Sequence, residues 1–233
     1  MESTQVKSLN EFHDVINQNK NQWHCWFYRG QSKENYKLTP KAGREPFLSK
    51  AKNDQALFEA WYRHAVGLQD INHLTDWEAL AVAQHHGLAT RLLDWSFNPL
   101  NALYFALYGG SLEVNEKDNC VVFAHYSTEE FVDTENHQSP FDISGICRFR
   151  PNTVSPRIAQ QGGIFTVHSA PHLCLEENLH KDERLLKIII DKSVKKELSQ
   201  ELSHYGVNSL GLFPDLDGLS KHINWAFVNL DYS

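Results

Sequence analysis

The stretch Tyr28-Arg29-Gly30-Gln31-Ser32 ends an apolar, aromatic run on a cation. An arginine there is costly to bury unpaired, and its planar donors suit a phosphate or a carboxylate. Gly30 allows a ligand to approach the backbone closely, and Gln31 follows as a substrate-binding candidate. An internal Arg–Asp pair beside a glycine turn explains the same residues. A second polar stretch, residues 84–96, reads Gln-His-His-Gly-Leu-Ala-Thr-Arg-Leu-Leu-Asp-Trp-Ser. Its candidates are His86, Thr90, Arg91 and Asp94. His85 and His86 are adjacent and point two ways from a helix, whereas zinc helices use i, i+4 spacing, so no metal site is expected. Arg91 and Asp94 can pair with each other; Asp94 can instead pair with Arg29 and fix that guanidinium for a ligand. A third stretch, residues 157–165, runs through Gln160-Gln161 into Gly162-Gly163. Gln161 is a candidate at a pocket edge, and a glycine turn before a core strand fits equally. The fourth, residues 213–219, offers Asp215, either a site carboxylate or a helix N-cap. Asp215-x-Asp217-Gly218 has part of a calcium-loop spacing but lacks the other ligands.

These residues need elements to hold them. Residues 8–16 read as an opening helix and residues 23–28 as a buried aromatic strand. Residues 46–66 read as a helix carrying Phe47, Leu57, Trp61 and Ala65. Thr75-Asp76-Trp77-Glu78 is a capping box that opens a helix running to His86 and stopped by Gly87. Asn98-Pro99 caps the next helix, residues 100–107, which is apolar all round and therefore central. Strands are expected at residues 120–125, 164–168 and 185–190. Residues 193–205 form a helix ended by Gly206, and residues 215–223 a short one. Helices dominate the first half and strands the second, which is an α+β pattern in a single domain rather than a βαβ alternation.

The whole chain has 233 residues, 41% hydrophobic and 22% charged. That is globular composition and enough chain for a core without a metal or disulfide staple. The net charge is −7 with histidine neutral, which argues against a protein that coats a nucleic-acid backbone. The four cysteines show no zinc spacing. They read as reduced, mostly buried thiols of a cytoplasmic protein. The polar N-terminus does not have the pattern of a signal peptide, and no apolar run approaches the roughly 20 residues of a membrane span. No phosphate-binding glycine loop, dinucleotide fingerprint or nucleophile elbow is present. A nuclease is disfavoured, because two-metal chemistry needs clustered carboxylates.

Together the four stretches resemble the FRG domain family, named for a Phe/Tyr-Arg-Gly signature, here Tyr28-Arg29-Gly30. The run from Gln84 through Thr90-Arg91-Leu92-Leu93-Asp94-Trp95 to Asn98-Pro99 and Ala102-Leu103-Tyr104-Phe105-Ala106 carries most of the likeness. Tyrosine stands in place of phenylalanine before Arg29, and alanine sits at position 89. The likeness extends over residues 27–225, which implies an N-terminal helical extension at 1–25 and an FRG domain at 26–233. It implies a bacterial or phage-associated protein of a defence or toxin system.

A weaker resemblance is to ADP-ribosyltransferases, which begin on an apolar strand carrying Arg-Gly or His-Gly, continue with a Ser/Thr-containing strand leading into a helix, and end on an acidic residue. It implies NAD as substrate, with no bound cofactor. It casts Arg29, Asp94 and Asp215 as the catalytic set, with Gly30, Gln31, His86, Thr90, Arg91 and Gln161 around the substrate. No glutamate stands in a clear motif for the acidic element. A toxin implies an antitoxin or other regulatory partner, and nucleic acid enters only as an acceptor. The alternative is a non-catalytic module of a phage-defence system that binds a nucleotide or a partner protein.

Overall fold

The computed structural model describes residues 2–19, 23–109, 111, 113–114, 116–151 and 163–230. Its strands are β1 (Glu2–Val6), β2 (Trp26–Gln31), β3 (Leu92–Ser96), β4 (Cys120–Tyr126), β5 (Ile146–Phe149), β6 (Gly163–His168) and β7 (Arg184–Ile190). Its helices are α1 (Leu9–Gln18), α2 (Asp54–Ala65), α3 (Asp76–His85), α4 (Pro99–Tyr108), α5 (Lys195–His204), the single turn α6 (Ser209–Leu212) and α7 (Leu216–Asn229). The strands form one mixed sheet in the order β1-β7-β4-β2-β3-β6-β5. Only β1 and β7 run parallel; the other neighbours are antiparallel. The α+β expectation holds.

Alternation along the strands divides the core. Trp26 and Tyr28 of β2, with Cys120, Val122 and Ala124 of β4, face α1, α4 and α5. Leu92 of β3, Phe149 of β5, and Phe165 and Val167 of β6 face α2 and α3. On the other face Phe27, Leu93, Trp95, Val121 and Phe123 form one layer with Leu38 and Leu175. The helices thus cover the sheet in two groups, and the boundary between them falls at β2 and β3.

Local signals set several ends. Thr75 makes the capping box with Glu78, and Gly87 at φ +92° ends the turn after α3 in a conformation glycine adopts without strain. The Asn98 side chain caps α4, with Pro99 in its first turn. Two expectations shift. Trp23–Cys25 form a 3₁₀ turn, and β2 starts at Trp26 and continues through Arg29 and Gly30 to Gln31, because β4 pairs with that whole length. The helix expected over residues 46–66 divides into a 3₁₀ segment, Leu48–Asn53, and α2. The Asn53 side chain accepts from the Ala56 amide and so makes a new N-terminus there. Residues 92–96, likened to a strand only through the weaker resemblance, are a strand pairing with β6 over its whole length.

Candidate active site

Although β2 and β3 are neighbours, they share a single register pair, Tyr28 with Ser96. Beyond it they diverge, and their backbone groups need other partners. Arg29 supplies one across the gap. Its Nη1 donates to the Asp94 carbonyl oxygen at 2.8 Å and meets Asp94 Oδ1 at 2.7 Å. A side chain therefore bridges the strands where a ladder would.

The gap opens into a cleft of about 250 Å³. Tyr28, Arg29 and Gly30 line it from β2, Asp94, Trp95 and Ser96 from β3, and Gln84 and His85 from α3. Ala102 and Phe105 of α4, together with Gly163, Phe165 and Phe213, complete the wall. Gly30 is needed for close packing as well: a Cβ there would collide with the Ala102 carbonyl and the Ala106 amide of α4.

A hydrogen-bonded chain orients the carboxylate. Thr90, buried, donates its hydroxyl to Gln84 Oε1 at 2.6 Å. Gln84 Nε2 then donates to Asp94 Oδ1 at 3.2 Å. Among the described residues both contacts to the Asp94 carboxylate fall on Oδ1 and leave Oδ2 open. The Asp94 side chain is 59% exposed and that of Arg29 only 13%. The protein packed around Asp94 opposes its ionisation, but the charge and hydrogen bond of Arg29 outweigh this and hold its pKa below the ordinary value.

A second guanidinium, Arg44, acts on this pair from outside the cleft lining. Arg44 donates from Nε to the Thr39 carbonyl at 2.7 Å. Burial and then the nearby charge of Arg29 lower the Arg44 pKa, while Asp94 acts in the opposite direction. Two guanidinium groups thus act on one carboxylate, an excess that suits an anion. Behind the wall, Trp95 Nε1 donates to Thr166 Oγ1 at 3.1 Å. Thr166 Oγ1 donates in turn to His168 Nε2 at 3.2 Å, and His168 Nδ1 donates to the Leu173 carbonyl at 2.8 Å. A carbonyl only accepts, so the proton sits on Nδ1. Burial, aided by the Arg29 charge, pushes the His168 pKa down to about 4, and the ring is neutral at pH 7.

The structure brings Arg29, Gly30 and Asp94 together in this cleft, with Thr90 behind them. Four other candidates lie elsewhere. Gln31 is buried and donates from Nε2 to the Lys37 carbonyl at 3.2 Å. Arg91 forms a two-pronged buried pair with Asp54, Nε to Oδ2 at 2.8 Å and Nη2 to Oδ1 at 2.7 Å. His86 is the C-cap of α3 and lines a separate apolar groove of about 590 Å³ between α2 and α3. Asp215 is the N-cap of α7 and accepts from the Gly218 amide at 2.7 Å. Gln161 lies outside the described residues, as does most of the stretch 157–165. The sequence reading missed Gln84, His85, Arg44 and the aromatic walls Phe105, Phe165 and Phe213. Gln84 and His85 stand in the stretch that was singled out, at the end of α3, and the helix stop at Gly87 was the available signal. Nothing in the spacing connects Arg44 to Arg29.

Among the described residues no three His, Cys, Asp or Glu side chains gather to hold a metal ion. No helix there is long and apolar enough to cross a membrane. No curated protein and no solved structure matches the chain, and the comparisons give no support to the ADP-ribosyltransferase resemblance. The family comparison is positive over residues 24–114. That span contains Arg29, Arg44, Gln84, Thr90, Asp94 and the whole of α4, and it excludes the stretches at 157–165 and 213–223. The segment that supplies most of the β2–β3 cleft is thus the one that matches the FRG domain family, over residues 24–114.

Proposed function

We propose that the β2–β3 cleft binds NAD and breaks its bond between nicotinamide and ribose, as an ADP-ribosyltransferase or an NAD glycohydrolase. The observation that carries this reading is the Asp94 carboxylate, ionised and 59% exposed beside an arginine that is 13% exposed. Cleavage puts positive charge on the ribose ring, and a fixed carboxylate stabilises charge as it develops. Oδ2 of Asp94 is free to take a ribose hydroxyl. Arg29 and Arg44 hold the pyrophosphate and fix its position. Thr90 acts through Gln84, keeping the carboxylate in one orientation. Phe105 and Phe165 line the cleft as aromatic walls for the nicotinamide ring.

The bond pair between ribose C1′ and the nicotinamide nitrogen leaves with nicotinamide, which departs neutral. A nucleophile, either water or a hydroxyl or amine of an acceptor, attacks C1′ and releases a proton to solvent. An activity that consumes NAD harms the cell that contains it. The protein then fits an effector of a toxin or antiviral defence system, restrained by an antitoxin or regulatory partner, with nucleic acid entering only as an acceptor. A second reading is a nucleotide-binding module without catalysis. The contact between Arg29 and Asp94 at 2.7 Å favours it, because each charge already has a partner.

The test is nicotinamide release from NAD by the purified protein, with and without cell extract or nucleic acid. Arg29→Ala and Asp94→Ala are run alongside, with folding checked by circular dichroism. Release that disappears in folded variants is the expected result. No release, with no rise in melting temperature on adding NAD, overturns the reading. A rise without release establishes the binding module instead.

A further inference from the structure

Phe105 and Phe213 meet edge to face, their centroids 6.2 Å apart with the planes at 80°. They line the cleft on one side and a second pocket, of about 90 Å³, on the other. The two cavities are thus neighbours across one aromatic wall. The second pocket lies between α4 and the C-terminal helices. The rings of Tyr104 and Tyr108 pack 4.6 Å apart there. Their phenols are bonded to Ser209 and Ser199, and burial pushes both pKa values up to about 12, so both rings stay neutral. His222 stacks on Trp225 at 16° with centroids 6.3 Å apart. Its Nδ1 is buried without a hydrogen-bond partner, an arrangement that calls for a ligand or a water. The Lys221 ammonium lies 5.9 Å from the centroid of Phe213, at the wall common to both pockets.

We propose that this second pocket is the adenine subsite of the cleft, with His222 Nδ1 bonding the edge of the base and Lys221 meeting the phosphate beside it. The assignment rests on the NAD reading and deepens it. Flat neutral rings favour a heteroaromatic base, and a purine edge carries both acceptors and a donor for the unpaired histidine nitrogen. A lipid or an apolar peptide side chain would leave that nitrogen unsatisfied. The cations are placed for a dinucleotide: Arg29 and Arg44 take the phosphate on the nicotinamide side and Lys221 the one on the adenine side, with the pyrophosphate passing the Phe105–Phe213 wall.

Calorimetric titration of the full chain with NAD, ADP and nicotinamide mononucleotide tests the assignment. His222→Ala is expected to weaken NAD and ADP about tenfold, the loss of one buried hydrogen bond, and to leave nicotinamide mononucleotide unchanged. Lys221→Ala, on the surface, gives the same pattern at a smaller amplitude. Ser203→Phe, which fills the pocket, removes ADP binding. Melting curves confirm folding, and Lys221→Ala carries the test should the other two variants fail to fold. Equal losses for all three ligands, or none, overturn the subsite. Wild-type protein that binds nicotinamide mononucleotide but not ADP overturns the subsite and leaves the NAD reading standing. Wild-type protein that binds none of the three overturns both.

Discussion

Two arginine–carboxylate pairs sit three residues apart along β3, one just before the strand and one at its middle, built from the same groups and left in different states. At the start of the strand, Arg91 meets Asp54 through Nε and Nη2 and gives Nη1 to the Ser169 carbonyl at 3.0 Å. Both side chains are 7% exposed, and the guanidinium lies 4.5 Å from the ring centroid of Phe141. Asp54 is also the first residue of α2, where a helix N-terminus favours negative charge. This pair has nothing left to offer a ligand. At the middle of the strand, Arg29 reaches Asp94 with Nη1 alone, its Nε is buried without a partner, and the carboxylate opens to the cleft. Saturation, not residue type, separates a strut from a site. In this fold the strut holds α2 against the strand that presents the site.

The largest effect expected is on the strut. Asp54→Ala leaves a buried guanidinium without its counter-charge and should cost about 3–5 kcal/mol in a denaturant titration. Asp94→Ala removes a more exposed carboxylate and leaves Arg29 its bond to the residue 94 carbonyl, so it should cost less, about 1–2 kcal/mol. Equal losses would erase the distinction. Next comes catalysis: Asp94→Asn should reduce nicotinamide release by about 10²–10³-fold with the melting temperature little changed. A merely structural pair would move the two readouts together.

A pH titration sharpens the contrast. His168 has its folded pKa pushed down to about 4 against an ordinary 6.5, so the unfolded chain binds the proton first. Stability should therefore fall as pH drops from about 6.5 to 4, by about 3 kcal/mol in all, and stay flat above. Asp94 behaves differently. Its folded pKa is lowered, so its contribution is complete above the ordinary Asp value of about 3.9 and fades only as pH falls through the folded one. Replacing His168 with glutamine should flatten the curve between pH 4 and 6.5. A slope that persists there would assign it to another group. The smallest effect is expected from Thr90→Val, which removes the hydroxyl behind Gln84. Stability should drop by about 1 kcal/mol, and nicotinamide release should fall less than in Asp94→Asn.

What could be read from sequence was local. Thr75 with Glu78, and Asn98 with Pro99, satisfy helix ends within a few residues, so those boundaries were visible. The four-block likeness brought Arg29 and Asp94 into view, and Asp94 was left with two partners to choose from. The structure joins it to Arg29 and sends Arg91 to Asp54, a choice that depends on where α2 begins. That start is set by Asn53, a cap inside what reads as one continuous amphipathic helix. β3 gave no periodic signal for another reason: its residues are apolar on both faces except at Asp94 and the final Ser96, and five residues give too short a pattern to distinguish a strand from a loop between helices. Arg44 and Phe213 reach the cleft region only through tertiary packing, and no spacing in the chain announces it.

The edge strand β1 has a consequence for how the molecule is made. Its partner is β7, with Glu2 opposite Leu186 and Val6 opposite Ile190. During synthesis β1 leaves the ribosome before the other described strands and waits for β7. Until then its backbone donors and acceptors are met by water alone, or by whatever extended chain arrives first. Contacts so distant in sequence slow folding, because a long loop must close before they form. Between the synthesis of β1 and that of β7 the nascent chain thus carries an unclaimed strand, and a factor that holds residues 2–6 would delay closure of the sheet edge.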